Sequence, residues 1–334
     1  MHLRWMFGAF LLPLACSGKD DTGDTRDTET TGPGWSVLAD VVGQGVLLSG
    51  WTDGGEALMV GGGMAGDGPG VLARYDGSRV CTETLSEDRA LWWIHGPVEG
   101  EWYAVGERGL VLHHTDGEIS DESIDTEATF YGVWAADDVV FAVGGVIDTN
   151  LGEIWRKEDG VWSLFLGNID GVVFKVWQGW FVGNEWAAFL NGDSSDDLEV
   201  RLPGHRLLTV RGPSDEEVWA VGGSASAVVL HWEQGAWQEL DTQGLSLPLN
   251  GIWTAPGEQV WVAGMSGTQG FGTGDGTWHI PDFPITAEHF HAVWKYGEEV
   301  LFLGGNLMSA QGPYYGTIGR FGEDADTLEA EACP

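Results

Sequence analysis

Nine histidines, three cysteines and fifty-one carboxylates are the residues of this chain that could do chemistry. His289 and His291 stand two apart in a strand-like segment, so both side chains can share one face, as zinc ligands do. No cysteine or carboxylate at a suitable spacing completes such a site. His113 and His114 are adjacent and face opposite sides of their strand. No Gly-x-Ser-x-Gly elbow is present, and no cysteine accompanies a histidine motif, so nothing marks a nucleophile. Glycoside hydrolysis needs two carboxylates a few ångströms apart. Among fifty-one acids, proximity along the chain singles out no such pair. The acids between Asp20 and Asp27 lack the turn glycine and terminal glutamate of a calcium-binding EF-hand loop. The chain therefore reads as non-enzymatic, with neither metal nor cofactor.

Charge narrows the partners. Fifteen Lys and Arg face fifty-one Asp and Glu, a formal net charge of -36 over 334 residues. Such a surface repels the phosphates of nucleic acid and of anionic lipid. The chain opens with Arg4, an apolar run from Trp5 to Ala15, and then Cys16. That run is too short to cross a bilayer, which takes about 20 apolar residues. It resembles a bacterial lipoprotein signal (with Pro13 where such signals usually carry Leu), which implies removal of residues 1–15 and lipidation of Cys16. An ordinary secretory signal cleaved nearby is the other reading. Residues 16–34 are Thr-, Asp- and Gly-rich up to Gly34, without a large apolar side chain, and read as a disordered tether.

The remainder, 35–334, repeats. An apolar run ends at an anchor: Gly50-Trp51, Trp92-Trp93, Val133-Trp134, Val176-Trp177, Val210-Arg211, Ile252-Trp253 and Val293-Trp294. The anchors are 42, 41, 43, 34, 42 and 41 residues apart. A second run follows each and ends in glycine, as in Ala104-Val105-Gly106 or Ala220-Val221-Gly222. A third short run and a Gly-x-Trp segment, as in Gly160-Val161-Trp162, complete the unit. Four short strands per unit cannot bury both their faces alone, and radial packing solves this. The expected fold is all-β: a seven-bladed β-propeller with four short antiparallel strands per blade. Fourteen tryptophans fall at repeat positions, which assigns them to packing between blades.

The Val-Gly-Gly and Gly-x-Trp pattern resembles kelch repeats. The stretch from Trp102 through Gly106 and Leu110 to His113 resembles the propeller of photosystem II assembly factors. Thr273-Gly274-Asp275-Gly276-Thr277-Trp278 is similar to the Asp-box of sialidase-type (BNR) propellers. The likeness spans about residues 45–322 and implies the scaffold, not an activity.

Two blades break the rule: blade four has a tight inner hairpin at Trp177-Gln178-Gly179-Trp180, and blade five carries Arg211 at its anchor. His291 occupies the repeat position of Asn250 and Tyr131, which predicts a polar site facing the tunnel. Long, variable loops follow the second strands and gather on one face, where recognition usually sits. Asp148, Asn150, Gln269, Asn306, Tyr314 and Tyr315 are their best-suited side chains, and with Arg211 and His291 they form the candidate ligand-binding set. Gly34-Trp35 carries a fourth-strand signature ahead of blade one and is expected to complete blade seven. The acidic tail is then free to reach blade one and pair Cys333 with Cys81. The composite expectation is a lipid-anchored binding or assembly module of the bacterial cell envelope (outer membrane, periplasmic or surface-exposed). Its partner would be protein or carbohydrate, touching membrane only through the lipid and no nucleic acid. A polysaccharide-active enzyme with carboxylates at the tunnel mouth and a lectin-like propeller are the alternatives.

Overall fold

The computed structural model describes residues 33–334 apart from 44, 65, 67, 137, 324 and 325, and only the backbone of residue 41. The signal, Cys16 and nearly all of the tether lie outside these residues. Among the described residues, no helix is long and apolar enough to cross a membrane. The rest forms seven antiparallel sheets, each opening with an inner strand: Val46–Asp53, Leu91–Val98, Thr129–Ala136, Val173–Trp177, Leu207–Arg211, Leu249–Trp253 and His289–Tyr296. This is the seven-bladed propeller. Seven apolar clusters fill the spaces between neighbouring blades, from Leu72, Leu91 and Trp102 between blades one and two to Trp253, Phe290 and Phe302 between six and seven. Wedged sheets bury both faces this way, and Trp102 and Trp180 are fully enclosed.

The two chain ends close the ring. Gly34–Val42 pairs with Gly316–Gly322 as the outer strand of blade seven, setting Trp35 opposite Phe321. Ala330–Ala332 then lies parallel to Val80–Ser86 as a fifth strand on blade one. A disulfide joins Cys81 to Cys333.

Register explains the repeat. In every blade the pairing of the first two strands skips one residue, a β-bulge three positions before the anchor. The skipped residues are Leu48, Trp92, Tyr131, Phe174, Leu208, Asn250 and His291, all equivalent. The bulge also explains the glycine ending each second strand. At Gly61, Gly106, Gly144, Gly183, Gly222, Gly264 and Gly304, a Cβ would collide with the backbone carbonyl of the inner strand opposite.

The same register corrects one anchor. Ile94 pairs with Ala104 and His95 with Tyr103, so His95, not Trp92-Trp93, is the anchor of blade two. Trp92 is instead the bulge residue and Trp93 follows it. The hairpin of blade two is longer by one residue than its neighbours', and the tryptophan pair ahead of it imitates the anchor.

Candidate functional site

The tunnel has two unlike ends. At the lower end stand the anchors: five tryptophans, His95 and Arg211. Four of them, His95, Trp177, Arg211 and Trp294, bond to the residue just beyond the anchor of the next blade. Trp177 Nε1 donates to the Gly212 carbonyl at 3.0 Å, and Trp294 Nε1 to Thr52 Oγ1 at 2.8 Å. The Ala135 N–H donates to His95 Nδ1 at 3.1 Å, which leaves the imidazole proton on Nε2. The Arg211 guanidinium lies over Trp177 and Trp294, with Cζ 4.4 and 4.3 Å from the ring centres. Burial lowers the Arg211 pKa to about 9. Burial, then the Arg211 charge, lowers that of His95 to about 3. Only about 20 Å³ remains open above this plug. Nothing but water fits there.

The upper end opens into a cavity of about 350 Å³. Six bulge residues wall it: Trp92, Tyr131, Phe174, Leu208, Asn250 and His291. Ile147, Met265, Leu307 and Met308 reach in from the variable loops. Lys175 and Arg206 add the only cations, and no carboxylate lines the cavity among the described residues.

A bulge leaves ladder carbonyls unpaired, and polar side chains take them here. His291 Nδ1 donates to the Leu48 carbonyl at 2.5 Å, Lys175 Nζ to that of Tyr131 at 2.6 Å, and Thr209 Oγ1 to that of Asn250 at 2.5 Å. Asn250 Nδ2 donates to the Phe290 carbonyl at 2.8 Å. Burial, then the Lys175 charge, presses the His291 pKa down to about 3, so the ring is neutral with Nε2 as an acceptor. Burial brings the Lys175 pKa down to about 7.

Of the eight side chains singled out from the sequence, the structure brings His291 alone to this cavity. Arg211 sits at the opposite end of the tunnel. Asp148 is exposed in the turn Ile147–Thr149. Asn150 holds a left-handed turn and accepts from Asn184 Nδ2 at 3.1 Å. Asn306 braces its own loop, accepting from the Tyr315 N–H at 2.9 Å and donating to the Pro313 carbonyl at 3.0 Å. The Tyr314 hydroxyl donates to the Ser309 carbonyl at 3.4 Å, and that of Tyr315 to Glu288 at 2.7 Å. Gln269 lines a separate cavity of about 270 Å³ beside Leu245 and Pro284, its amide buried without a partner among the described residues. Lys175, Arg206, Trp92 and Phe174 escaped sequence reasoning. The position three before the anchor would have found Phe174, had the bulge been foreseen, whereas Trp92 was hidden by the misplaced anchor of blade two.

No family model and no curated protein matches the chain. Solved structures do. YCF48 bound to a D1 peptide superposes with a TM-score of 0.62 at 17% identity, over 89% of this chain and 98% of that one. The WD40 β-propeller domain of Doa1 gives 0.63 at 12%, over 87% and 98%. A catalytically inactive virginiamycin B lyase from Staphylococcus aureus, with quinupristin, gives 0.67 at 12%, over 87% and 99%. The likeness is one of fold. Identities this low carry the scaffold to this chain and nothing of those proteins' activities.

Proposed function

We propose that this chain is a non-enzymatic binding or assembly module, held at the bacterial cell envelope by a lipid on Cys16, that receives a segment of another protein at the upper mouth. The observation carrying this reading is the character of that mouth. A cavity of about 350 Å³ walled by aromatic and aliphatic side chains opens on a face that also exposes Ile147, Leu202, Leu247, Phe283 and Met308. Phe283 is 82% exposed, in a chain whose surface is otherwise dominated by acids. Exposed apolar side chains gathered around a concave site favour a protein partner. YCF48, a propeller of the same fold, is found bound to a D1 peptide, and that use of the scaffold supports the reading. A polysaccharide-cleaving site is less favoured, since among the described residues no carboxylate lines the cavity, and such chemistry requires a pair. A lectin reading would want similar pockets repeated between blades, and the cavities here differ in lining.

A photo-crosslinking residue placed at Met308 and, separately, at Val98 on the opposite face tests the reading in intact cells. Adducts of defined mass from Met308 and none from Val98 are expected. Equal labelling from both faces would count against it. Palmitate incorporation that persists after Cys16→Ser would remove the anchor from the proposal.

A further inference from the structure

Lys157 and Lys175 are both nearly buried, and they are treated differently. Lys157 Nζ sits 2.7 and 2.8 Å from the two oxygens of Glu122, an ion pair closed on itself. Lys175, 3% exposed, meets no carboxylate among the described residues. Its partners are the Tyr131 carbonyl and the face of Trp93, 4.2 Å from Nζ to the ring centre. Capping a bulge carbonyl does not require a cation, since Thr209, at the same place in blade five, caps the Asn250 carbonyl of the next blade with a neutral hydroxyl. A buried charge without a counter-ion is costly, and the neighbouring blade shows the cheaper solution. Arg206 repeats the theme at the rim: its guanidinium lies 5.1 Å over Phe174 and is bonded to no carboxylate among the described residues. In a chain with more than three acids per base, two unpaired cations lining one cavity have been spared neutralisation.

We infer that the upper cavity is a carboxylate-recognition site, in which Lys175 and Arg206 pair with the anionic group of a ligand whose apolar body packs against Trp92, Tyr131 and Phe174. The inference rests on the reading of the mouth as a binding site and names the chemistry it selects. The carboxylate supplies the missing counter-charge and turns a desolvated cation into half of a shielded ion pair. Neutral His291, with Nε2 free to accept, and the buried Trp92 Nε1, which has no partner among the described residues, add one acceptor and one donor. Both cations belong to blades four and five, the two that depart from the repeat. The titration of Lys175 near neutrality supports the same view, because an arriving anion would draw a proton onto it.

Phenylacetate and phenylacetamide differ in charge at nearly the same shape, so they isolate the carboxylate. With the full chain, phenylacetate is expected to shift the Trp92 indole N–H resonance and to bind at least about tenfold more tightly than the amide. Lys175→Met and, at the rim, Arg206→Gln are each expected to erase most of that preference. Equal binding of acid and amide, no shift with phenylacetate, or a preference that survives both substitutions would overturn the inference. Two short apolar peptides then separate the sources: one with a free C-terminus, the other amidated but carrying an internal Glu. Acid selectivity for phenylacetate with neither peptide bound would preserve the carboxylate site and remove the protein-segment reading. Peptide binding that ignores charge would do the reverse.

Discussion

Arg211 Nε donates to the Thr254 carbonyl at 3.3 Å, one residue past the anchor of blade six. This is the step that Trp177 makes to Gly212 and Trp294 to Thr52, so the arginine does a tryptophan's work in the ring. What it adds is charge, set among three indoles and close enough to influence His95.

Replacing Arg211 with methionine removes the hydrogen bond and the indole contacts but also a desolvated cation. These effects oppose each other, and the net change in stability is expected to stay within about 1 kcal/mol. The His95 pKa is expected to rise, yet to stop short of the ordinary 6.5 because burial, the larger cause, remains. A proton NMR titration of His95 reads this directly. An unchanged His95 would mean that the guanidinium charge does not reach it.

His95 and His291 both remain neutral in the fold down to about pH 3, while the unfolded chain protonates them near 6.5. Their folded pKa values are depressed, so the unfolded state binds more protons across that window. Stability is therefore full above about 6.5 and is lost as pH falls toward 3. His291→Asn copies the residue that blade six already carries at this position, Asn250. The variant is expected to flatten the acid limb by one proton, about 1.4 kcal/mol per pH unit. Urea unfolding between pH 6 and pH 4 measures the slope. A parallel pair of curves would contradict the assignment.

Lys175 acts in the same sense at higher pH. Its folded pKa near 7 lies below the unfolded value of 10.5, so the cost of burying the charged form is full below 7 and disappears as pH rises through 10.5. Lys175→Met is expected to stabilise the free protein by up to a few kcal/mol, on the order of the shift, at pH 6, with the gain shrinking toward pH 10. A gain independent of pH would show that packing against Trp93, not charge, is responsible.

The scaffold was legible in the sequence because its signals are local and repeated seven times. Glycine at the end of each second strand and an aromatic at the end of most first strands are requirements of one bulged hairpin, copied around the ring. The upper cavity was half visible, since His291, Asn250 and Tyr131 could be aligned as one tunnel-facing position. Lys175 and Arg206 could not be read. Their place depends on a bulge that reverses which side chain meets the tunnel, and a skipped residue leaves no mark in composition. The loop residues stand apart from the cavity for a related reason. Asn150, Asn306 and Tyr315 are polar because the loops must hold themselves, and from sequence a brace looks like a ligand.

Closure of the ring by Gly34–Val42 is testable by truncation. Removal of residues 1–33 is expected to leave the urea midpoint unchanged. Removal through residue 42 strips the outer strand of blade seven, with buried Leu38 and Val42, and takes Trp35 from its contacts with Phe302 and Phe321. Each lost apolar side chain is worth about 1.5–3 kcal/mol, enough together to unfold a domain of ordinary stability. If both truncated chains melt alike, the strand contributes nothing to closure.

The disulfide makes the second seam. Cys81 and Cys333 are 252 residues apart, so the bond constrains almost the whole unfolded chain, for which loop entropy gives an upper figure of about 5 kcal/mol. Apart from the disulfide, the tail is held by three residues of parallel pairing, the Cys333 N–H donating to the Thr82 carbonyl at 3.0 Å, the Leu328 N–H donating to the Leu38 carbonyl at 2.7 Å, and the half-buried Leu328 and Ala330. Under oxidising conditions, Cys333→Ser is therefore expected to cost most of what the tail contributes, about 2–5 kcal/mol. Truncation after residue 327 is expected to cost only about 1–2 kcal/mol more, the value of those apolar contacts. Under reduction, the full chain and Cys333→Ser should melt together. Denaturant melts of the three chains with and without reductant separate the terms. A Cys333→Ser chain as stable as the oxidised wild type would show that strand pairing, rather than the covalent link, fastens the tail to blade one.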